Sequence, residues 1–492
     1  MASKQETIIP LKLWVDKERK LVVMAEASGD FVDVLFSFLT LPLGTIIRLV
    51  SKNQPHQPVE IGCLNNLYQS VEDFSTDVFW NHICKKMLLS PANPCEALCK
   101  RLKLNVDDTD TKYYMCSSCL EDNDWLLSTF GLTSCSCGKL MDKEMKLVVE
   151  SNEETHENGV FVKEKTMFLI FDDLRVLKSS PGNTVQQLLQ LGYRDFNKMT
   201  EMSLKVGMKE ISSIVKQALT SKSPLSDVFL ANGESKPMYS FSPHAITGPR
   251  RFGNFRYSVD LKITVCKSEN KIMFAEAEED FVDFLFSFLT IPVGSILRLT
   301  YAKLSLGCMD NLYTSVKDLN SSWFIGSSGT SLLNMRVAPQ YGCKRQLLSL
   351  SEEDTPSYWY GYGTGVMKTN TGSVQDGTIS KEMHKVQYPQ AMKLFDPRSP
   401  DGRRDPAVGF VRRPSLFVVL DDLKVTPLTT TSSISFLQKL NVPLDDLEEH
   451  VVEIGAQEAL NLLAASLTSK APLTESLFCL LKKPKEEIQI IL

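Results

Sequence analysis

The chain has 492 residues, of which 43% are hydrophobic and 23% are charged, and its formal net charge is -5. This length exceeds what one ordinary hydrophobic core supports, so it predicts two to four domains. The negative charge argues against nucleic acid as a main partner, because phosphate contacts need a basic face. No membrane association is expected, since the most apolar stretch, residues 31–50, contains Asp33 and Arg48 and is typical of buried core.

The N-terminal residues lack the basic region and apolar run of a secretory signal. The sequence therefore predicts a protein that is not secreted and that is cytoplasmic or nuclear. In such a reducing compartment, the twelve cysteines are expected to be thiols or metal ligands rather than disulfides.

Each half of the chain begins with a predicted β-hairpin and helix. Leu11, Leu13 and Val15 alternate with polar residues, a polar turn follows, and residues 21–27 form a second apolar run. Ser28 or Asp30 is the predicted cap of the next helix, and Pro42 is predicted to stop it.

The pattern that begins the chain returns later, and this self-similarity is its strongest signal. The segment LKLWVDKERKLVVMAEASGDFVDVLFSFLTLPLGTIIRL, from Leu11, returns as LKITVCKSENKIMFAEAEEDFVDFLFSFLTIPVGSILRL, from Leu261. Further shared blocks follow in the same order, and they begin at Gly62 and Gly307, Cys99 and Cys343, Phe168 and Phe417, and Leu219 and Leu467. We interpret the chain as a tandem duplication of one mixed α/β unit. The first unit is residues 1–231, the linker 232–256 and the second unit 257–492.

Later in each half, a strand and helices are predicted again. Residues 168–176 are typical of a strand interrupted by Asp172-Asp173, and residues 184–191 and 209–220 have helical patterns. The mixture predicts an α/β or α+β fold class for both units. A stretch rich in Arg, Pro and Gly, residues 393–414, is interpreted as a mobile insertion in the second unit, and its arginines, including Arg398 and Arg413, as solvated.

A cysteine-rich patch near residues 113–146 predicts a metal site in the first unit. Cys116-x-x-Cys119 is followed after fifteen residues by Cys135-x-Cys137-Gly138. Two close pairs of thiolates suit tetrahedral zinc, and Gly138 is expected to let the backbone turn beneath the second pair. The alternatives are four ordinary thiols in a loop, or redox or disulfide chemistry.

The second unit has no cysteines at the corresponding positions. The segment Tyr113-Tyr114-Met115-Cys116 aligns with Tyr358-Trp359-Tyr360-Gly361. The unit can therefore be built without metal, so we expect a structural zinc. Four cysteines would also leave no open position for an activated water, which a catalytic zinc requires.

Three recurring polar positions are weaker candidates for chemistry. Cys63 and Cys308 would need a positioned base to act as nucleophiles, but no histidine recurs between the halves, so buried thiols are favoured. The aspartate pairs, Asp172-Asp173 and Asp421-Asp422, are favoured as residues that enter a turn, with Leu174 or Leu423 packed inside. The arginines, Arg48 and Arg298, either bind an anion or form a cap or salt bridge, and the second role is favoured.

These blocks resemble those of the plant family called domain of unknown function 674. The resemblance rests on the FVDxLFSFLTxPxG and GCxxNLYxSV blocks, the cysteine patch and the later strand with DDL, and it covers nearly the whole chain in two copies. It implies an intracellular plant protein and no established chemistry. The cysteine patch departs from the pattern, because only the first half has it.

The sequence favours a non-catalytic interaction or scaffold protein with a structural zinc and a protein partner of unidentified kind. No phosphate loop, nucleotide fingerprint, nucleophile elbow or zinc-protease motif occurs. The alternative is an enzyme or small-molecule binder with a pocket between the two halves, lined by the recurring Cys, Asp and Arg side chains. Nucleic-acid binding through the cysteine loop is disfavoured by the acidic residues there, and no feature indicates an oligomeric state.

Overall fold

The computed structural model describes residues 7–53, 61–119, 125–148, 159–230, 257–304, 306–343, 345–348, 350–363, 377–398, 409–428, 436–438 and 442–481. The predicted linker, 232–256, lies outside these residues. The middle of the predicted insertion, 399–408, lies outside them as well.

Antiparallel sheets dominate the fold. The strands of the first half are β1 (Ile9–Asp16), β2 (Leu21–Ser28), β3 (Tyr113–Met115), β4 (Leu126–Leu127), β5 (Lys143–Met145), β6 (Met167–Phe171), β7 (Val176–Lys178) and β8 (Met199–Val206). Those of the second half are β9 (Val259–Cys266), β10 (Lys271–Glu278), β11 (Tyr358–Gly363), β12 (Thr378–Ser380), β13 (Val386–Leu394), β14 (Leu416–Leu420), β15 (Val425–Pro427) and β16 (Leu447–Ile454). Two five-stranded sheets have corresponding orders, β7-β6-β2-β1-β8 and β15-β14-β10-β9-β16.

Helices connect the strands and cover the sheets. The α-helices are Gly29–Ser37, Leu43–Asn53, Leu64–Asp73, His82–Leu89, Glu96–Cys99, Pro181–Gln190, Met208–Thr220, Pro224–Phe229, Glu279–Ser287, Val293–Leu299, Met309–Asp318, Ser328–Leu333, Ala456–Thr468 and Pro472–Leu481. Short 3-10 turns lie at Phe38–Thr40, Thr76–Val78, Phe288–Thr290, Ser321–Trp323, Met383–Lys385 and Leu444–Asp446. The mixed α/β class predicted from the sequence is confirmed.

The N-terminal hairpin forms where the alternation predicts it. Leu11, Leu13 and Val15 are buried, and Leu13 lies opposite Ala25 across the β1–β2 pair. Ser28 occupies the N-cap position of the next helix, but its side chain makes no capping bond. The helix gives way to a 3-10 turn before Pro42, so the proline follows the helical segment rather than ending the α-helix directly.

One hydrophobic core runs through both halves of the chain. Phe74 of the first half lies edge-on to Phe286, with ring centroids 5.8 Å apart, and stacks on Phe417 at 6.0 Å. Aromatic side chains from both halves therefore fill the same interior.

A smaller sheet also joins the halves. Its strand order is β12-β11-β13-β4, so β4 of the first half extends a sheet of the second. The β4–β13 pair is parallel, with Leu126 opposite Lys393 and Leu127 opposite Leu394. The cysteine-rich part of the first half is thereby placed against the second half.

Two arginines of the predicted insertion are paired within the fold, Arg398 buried and Arg413 half-buried, which corrects their interpretation as solvated residues. Arg398 is 5% exposed, and its Nη2 lies 3.0 Å from Oδ2 of Asp396. Arg413 forms an ion pair with Asp280. The interpretation failed because composition alone does not distinguish an exposed arginine from one paired inside the fold. Within the described residues, no helix combines the length and apolar composition needed to cross a bilayer.

Candidate metal centre

The structure brings the four predicted cysteines together. The Sγ atoms of Cys116, Cys119, Cys135 and Cys137 all lie within 4.8 Å of one another. The closest pairs are Cys116 with Cys137, at 3.6 Å, and Cys119 with Cys135, at 3.4 Å. Each short contact thus joins one cysteine of the Cys116–Cys119 pair to one cysteine of the Cys135–Cys137 pair, so the two pairs form a single cluster.

Short hairpins hold these cysteines. Cys116 directly follows β3, which pairs with β5. The second cysteine pair lies in a tight turn that two backbone hydrogen bonds close. The Gly138 N–H donates to the Cys135 carbonyl at 2.9 Å, and the Cys135 N–H donates to the Lys139 carbonyl at 2.7 Å. Gly138 has a φ of +82°, as its predicted role in the turn requires. The two sulfurs therefore converge through a turn.

The donor set fits a tetrahedral metal ion. With Zn–S bonds of about 2.3 Å, the sulfurs of a tetrahedral site are about 3.8 Å apart, and the observed separations bracket this value. Four sulfur donors favour zinc over the hard cations, which prefer oxygen ligands. The four cysteines would occupy every position of such a site and leave none for a substrate or an activated water.

The thiols lie in unequal surroundings. Burial raises the pKa of the Cys119 thiol. The exposed Cys137 thiol accepts a hydrogen bond from the backbone N–H of Lys139, which lowers its pKa to about 7. One sulfur thus faces solvent while Cys116, Cys119 and Cys135 are buried. A bound cation would favour the thiolate at all four positions, because thiolates are the metal-binding form.

The cluster packs directly on the second half. Phe395, which is 4% exposed, belongs to the same apolar cluster as Met141 and the three buried cysteines, Cys116, Cys119 and Cys135. Its backbone N–H donates to the Leu127 carbonyl at 2.7 Å. Trp125 stacks on Tyr360 with ring centroids 4.7 Å apart. The described residues of the cysteine patch, 113–119 and 125–146, which we call the cysteine hairpin, are therefore a contact region between the halves.

The second half uses a sheet at the position of the cysteine patch. Tyr358 and Tyr360 lie on β11, which pairs with β12 and β13, and both rings are buried. Tyr113 and Tyr358, aligned in sequence, contact each other with centroids 5.5 Å apart. Longer strands and aromatic packing thus stabilise this region of the second half.

Cys63 and Cys308 are both buried, and each contacts the opposite half. The Cys63 Sγ donates to the Ser469 carbonyl, and the Cys308 Sγ donates to the Ser221 carbonyl, both at 3.1 Å. Burial raises the pKa of the Cys308 thiol, which opposes a nucleophilic role. Buried structural thiols, which the sequence favoured, fit both positions.

Asp172 and Asp421 both begin a turn and hold a later helix. Asp172 accepts hydrogen bonds from the Ser226 backbone N–H, at 2.8 Å, and from its hydroxyl. Asp421 accepts hydrogen bonds from the Thr474 backbone N–H at 2.9 Å and from the Thr474 hydroxyl at 2.8 Å. Leu174 and Leu423, which follow the pairs, are fully buried, as the sequence predicted. Burial raises the pKa of Asp172 to about 6.

A cavity of about 1800 Å³ is lined in part by residues of the cysteine hairpin and in part by residues elsewhere in the chain. Both halves line it, with Glu96 and Lys100 on one side and Gln340 and Tyr358 on the other. Of the candidates Cys63, Cys308, Asp172, Asp421, Arg48 and Arg298, Arg48 alone lines it, and this arginine forms an ion pair with Asp108 at 2.6 Å. Asp30 and Asp33, which recur as Asp280 and Asp283, line it as well. The recurring cysteines and the Asp172 and Asp421 carboxyls thus do not converge in this cavity.

Asp33 and Asp283 each bind a segment of their own half that pairs with the other half, at Val162 with Phe324 and at Val411 with Phe79. The sequence did not predict this role. Asp33 accepts backbone N–H bonds from Val160, Phe161 and Val162, at 2.6, 2.8 and 2.8 Å. Asp283 accepts from Phe410 and Val411 at 2.7 and 3.0 Å. Both aspartates are buried, Asp33 on the helix Gly29–Ser37 and Asp283 on the helix Glu279–Ser287. The recurrence of Phe161-Val162 as Phe410-Val411, each followed by a basic residue, was the signal in the sequence.

Comparison with known proteins gives a family and no described activity. No curated protein and no solved structure matches the chain. A family model described as protein of unknown function (DUF674) matches residues 5–457. That match covers most of the chain and agrees with the resemblance found in its motifs. The chain therefore belongs to the DUF674 family of proteins of unknown function.

Proposed function

We propose that this chain is a non-catalytic interaction or scaffold protein made of two tandem copies of one unit, with one structural zinc held by Cys116, Cys119, Cys135 and Cys137. The observation that carries the zinc is the convergence of four sulfurs within 4.8 Å. The corresponding strand orders of the two sheets support the duplication. A plant origin and a cytoplasmic or nuclear location belong to the same proposal.

An exposed apolar surface supports the interaction role. Val185 and Leu189 lie four residues apart on the helix Pro181–Gln190, and they are 52% and 59% exposed. Residues with this spacing share one helix face. Such a face fits a protein partner better than a small solute. Changing both residues to glutamate is expected to abolish binding of that partner while leaving the thermal midpoint unchanged.

Metal analysis tests the zinc proposal. The purified chain is expected to contain about one zinc ion, because all four donors belong to one site. Cys116→Ser with Cys119→Ser should remove the metal, whereas Cys479→Ser, an exposed cysteine elsewhere, should retain it. Metal-free protein whose thermal unfolding is insensitive to chelators and to added zinc would refute the proposal.

The cavity supports an alternative function, the binding of a small molecule between the halves. Its walls carry Lys100, Glu96 and Tyr358, so a polar ligand fits their chemistry. Ligand screening by thermal shift distinguishes the two functions. A compound that stabilises the wild type and loses this effect in Glu96→Gln and Lys100→Gln would favour the alternative.

A further inference from the structure

The two halves contact each other through a surface in which each contact has an equivalent contact with the roles of the halves exchanged. At one end, the Cys63 N–H donates to the Ser466 carbonyl at 2.7 Å. With the halves exchanged, the Cys308 N–H donates to the Ala218 carbonyl at 2.7 Å. The turn before each helix of the GCxxNLY block thus meets the end of the LTSK helix in the opposite half.

The glycine before each cysteine lets the two backbones approach. Gly62 and Gly307 have φ values of +53° and +56°. A Cβ atom at Gly62 would overlap the Ser466 carbonyl oxygen, and one at Gly307 would overlap the Ala218 carbonyl oxygen. Only glycine combines this φ with so close a contact.

The helix that follows each cysteine makes further hydrogen bonds to the opposite half, and these also occur in reciprocal pairs. Asn66 Nδ2 donates to the Asp422 carbonyl at 2.9 Å, and Asn311 Nδ2 donates to the Asp173 carbonyl at 2.8 Å. One turn later, Ser70 Oγ accepts from the Val425 N–H at 3.0 Å. Its counterpart, Ser315 Oγ, accepts from the Val176 N–H at 2.9 Å.

The centre of the surface joins equivalent residues. The Leu43 N–H donates to the Ile291 carbonyl at 3.2 Å, and the Val293 N–H donates to the Leu41 carbonyl at 3.1 Å. Pro42 and Pro292 form the bridge between these bonds. Direct pairing of equivalent residues is expected where a pseudo-two-fold axis passes through an interface.

We infer that this surface is self-complementary, so that each unit can bind a second copy of itself through the contacts that now join the two halves. The reason is that each unit contains both sides of every reciprocal contact. The second unit, for example, has both the Gly307-Cys308 turn and the Ser466 carbonyl that such a turn contacts. The inference rests on the proposed duplication but not on the zinc.

The cysteine hairpin favours the pairing of unlike units. The β4–β13 pair and the Trp125–Tyr360 stack each join a first unit to a second unit, and neither has a reciprocal copy among the described residues. A pair of first units would lack β13, and a pair of second units would lack the hairpin. Unlike pairs are therefore expected to predominate over like pairs.

The test uses the full chain with a protease site inserted within residues 231–256. After cleavage of the folded protein, the fragments are unfolded, refolded with zinc and analysed by native mass spectrometry. Three species are expected, with the unlike pair most abundant and both like pairs present. Recovery of unlike pairs alone, or of single fragments, would overturn the inference.

A glycine substitution makes the test specific to this surface. Gly307→Val should reduce the pair of second units at least tenfold, because both of its turn contacts would clash, and leave the pair of first units unchanged. Gly326→Val is the matched control, since Gly326 has a φ of +53° but open space around it. Equal losses in both variants would contradict the inference. Zinc content, measured separately, reports on the proposed metal site.

Discussion

The buried carboxyl of Asp33 predicts a specific dependence of stability on pH. Burial raises its pKa to about 7, against the opposing effect of three backbone N–H donors. An unfolded aspartate has a pKa of about 3.9. Because the folded value is the higher one, the contribution to stability is complete at low pH and is lost as the pH rises through about 7.

The size of the effect follows from that difference. Between the two pKa values, one group changes the free energy of unfolding by about 1.4 kcal/mol per pH unit. From pH 5 to pH 7, the ionisation of Asp33 should therefore lower the free energy of unfolding of the wild type by about 2–3 kcal/mol. Asp33→Asn removes this titration. It also places an amide group against the Val160 N–H, which adds a pH-independent loss of about 1–3 kcal/mol.

Denaturant unfolding of both proteins at pH 5, 6 and 7 measures the effect. The stability of the wild type relative to Asp33→Asn should fall as the pH rises, by about 2–3 kcal/mol over this range. Asp30→Asn is the control, because Asp30 lies on the same helix and pairs with Lys103 near the surface. A difference between wild type and Asp33→Asn that stays constant or grows with pH would refute the reasoning.

Three further effects are expected. Gly159→Ala should lower the thermal midpoint, because Gly159 has a φ of +73° and its Cβ would overlap a carbonyl, whereas Gly182→Ala, in open space on a helix, should not. Asn66→Ala should lower the free energy of unfolding by about 1 kcal/mol through loss of its bond to the Asp422 carbonyl, and an unchanged denaturation curve would contradict this. Chelation of zinc should change the fluorescence of Trp125 but not the helical circular dichroism, since residues 113–119 and 125–148 contain no helix.

Local patterns in the sequence predicted several elements correctly. The alternation from Leu11 to Val15 predicted the first strand because one face of that strand is buried. The spacing of the four cysteines predicted a cluster, and the structure brings their sulfurs within 4.8 Å. These features depend on residues close in sequence, so their pattern carries the information.

The roles of the recurring polar residues could not be predicted in the same way. Asn66 binds a carbonyl 356 residues away, and Asp33 binds N–H groups 127 to 129 residues away. Recurrence showed that these positions match between the halves, but it did not show what they contact. Asp172 was therefore interpreted as a residue that enters a turn, and its bonds to Ser226 were not predicted.

The sequence by itself determined the family, the mixed fold class, the hairpins and helices, and the four cysteines that can bind a metal. The tertiary structure alone decided that the halves share one core, that their matching motifs contact each other, and that the cysteine hairpin docks on the second half. The physical reason is that periodicity and ligand spacing are properties of neighbouring residues. Contacts between distant segments depend on how the whole chain is packed.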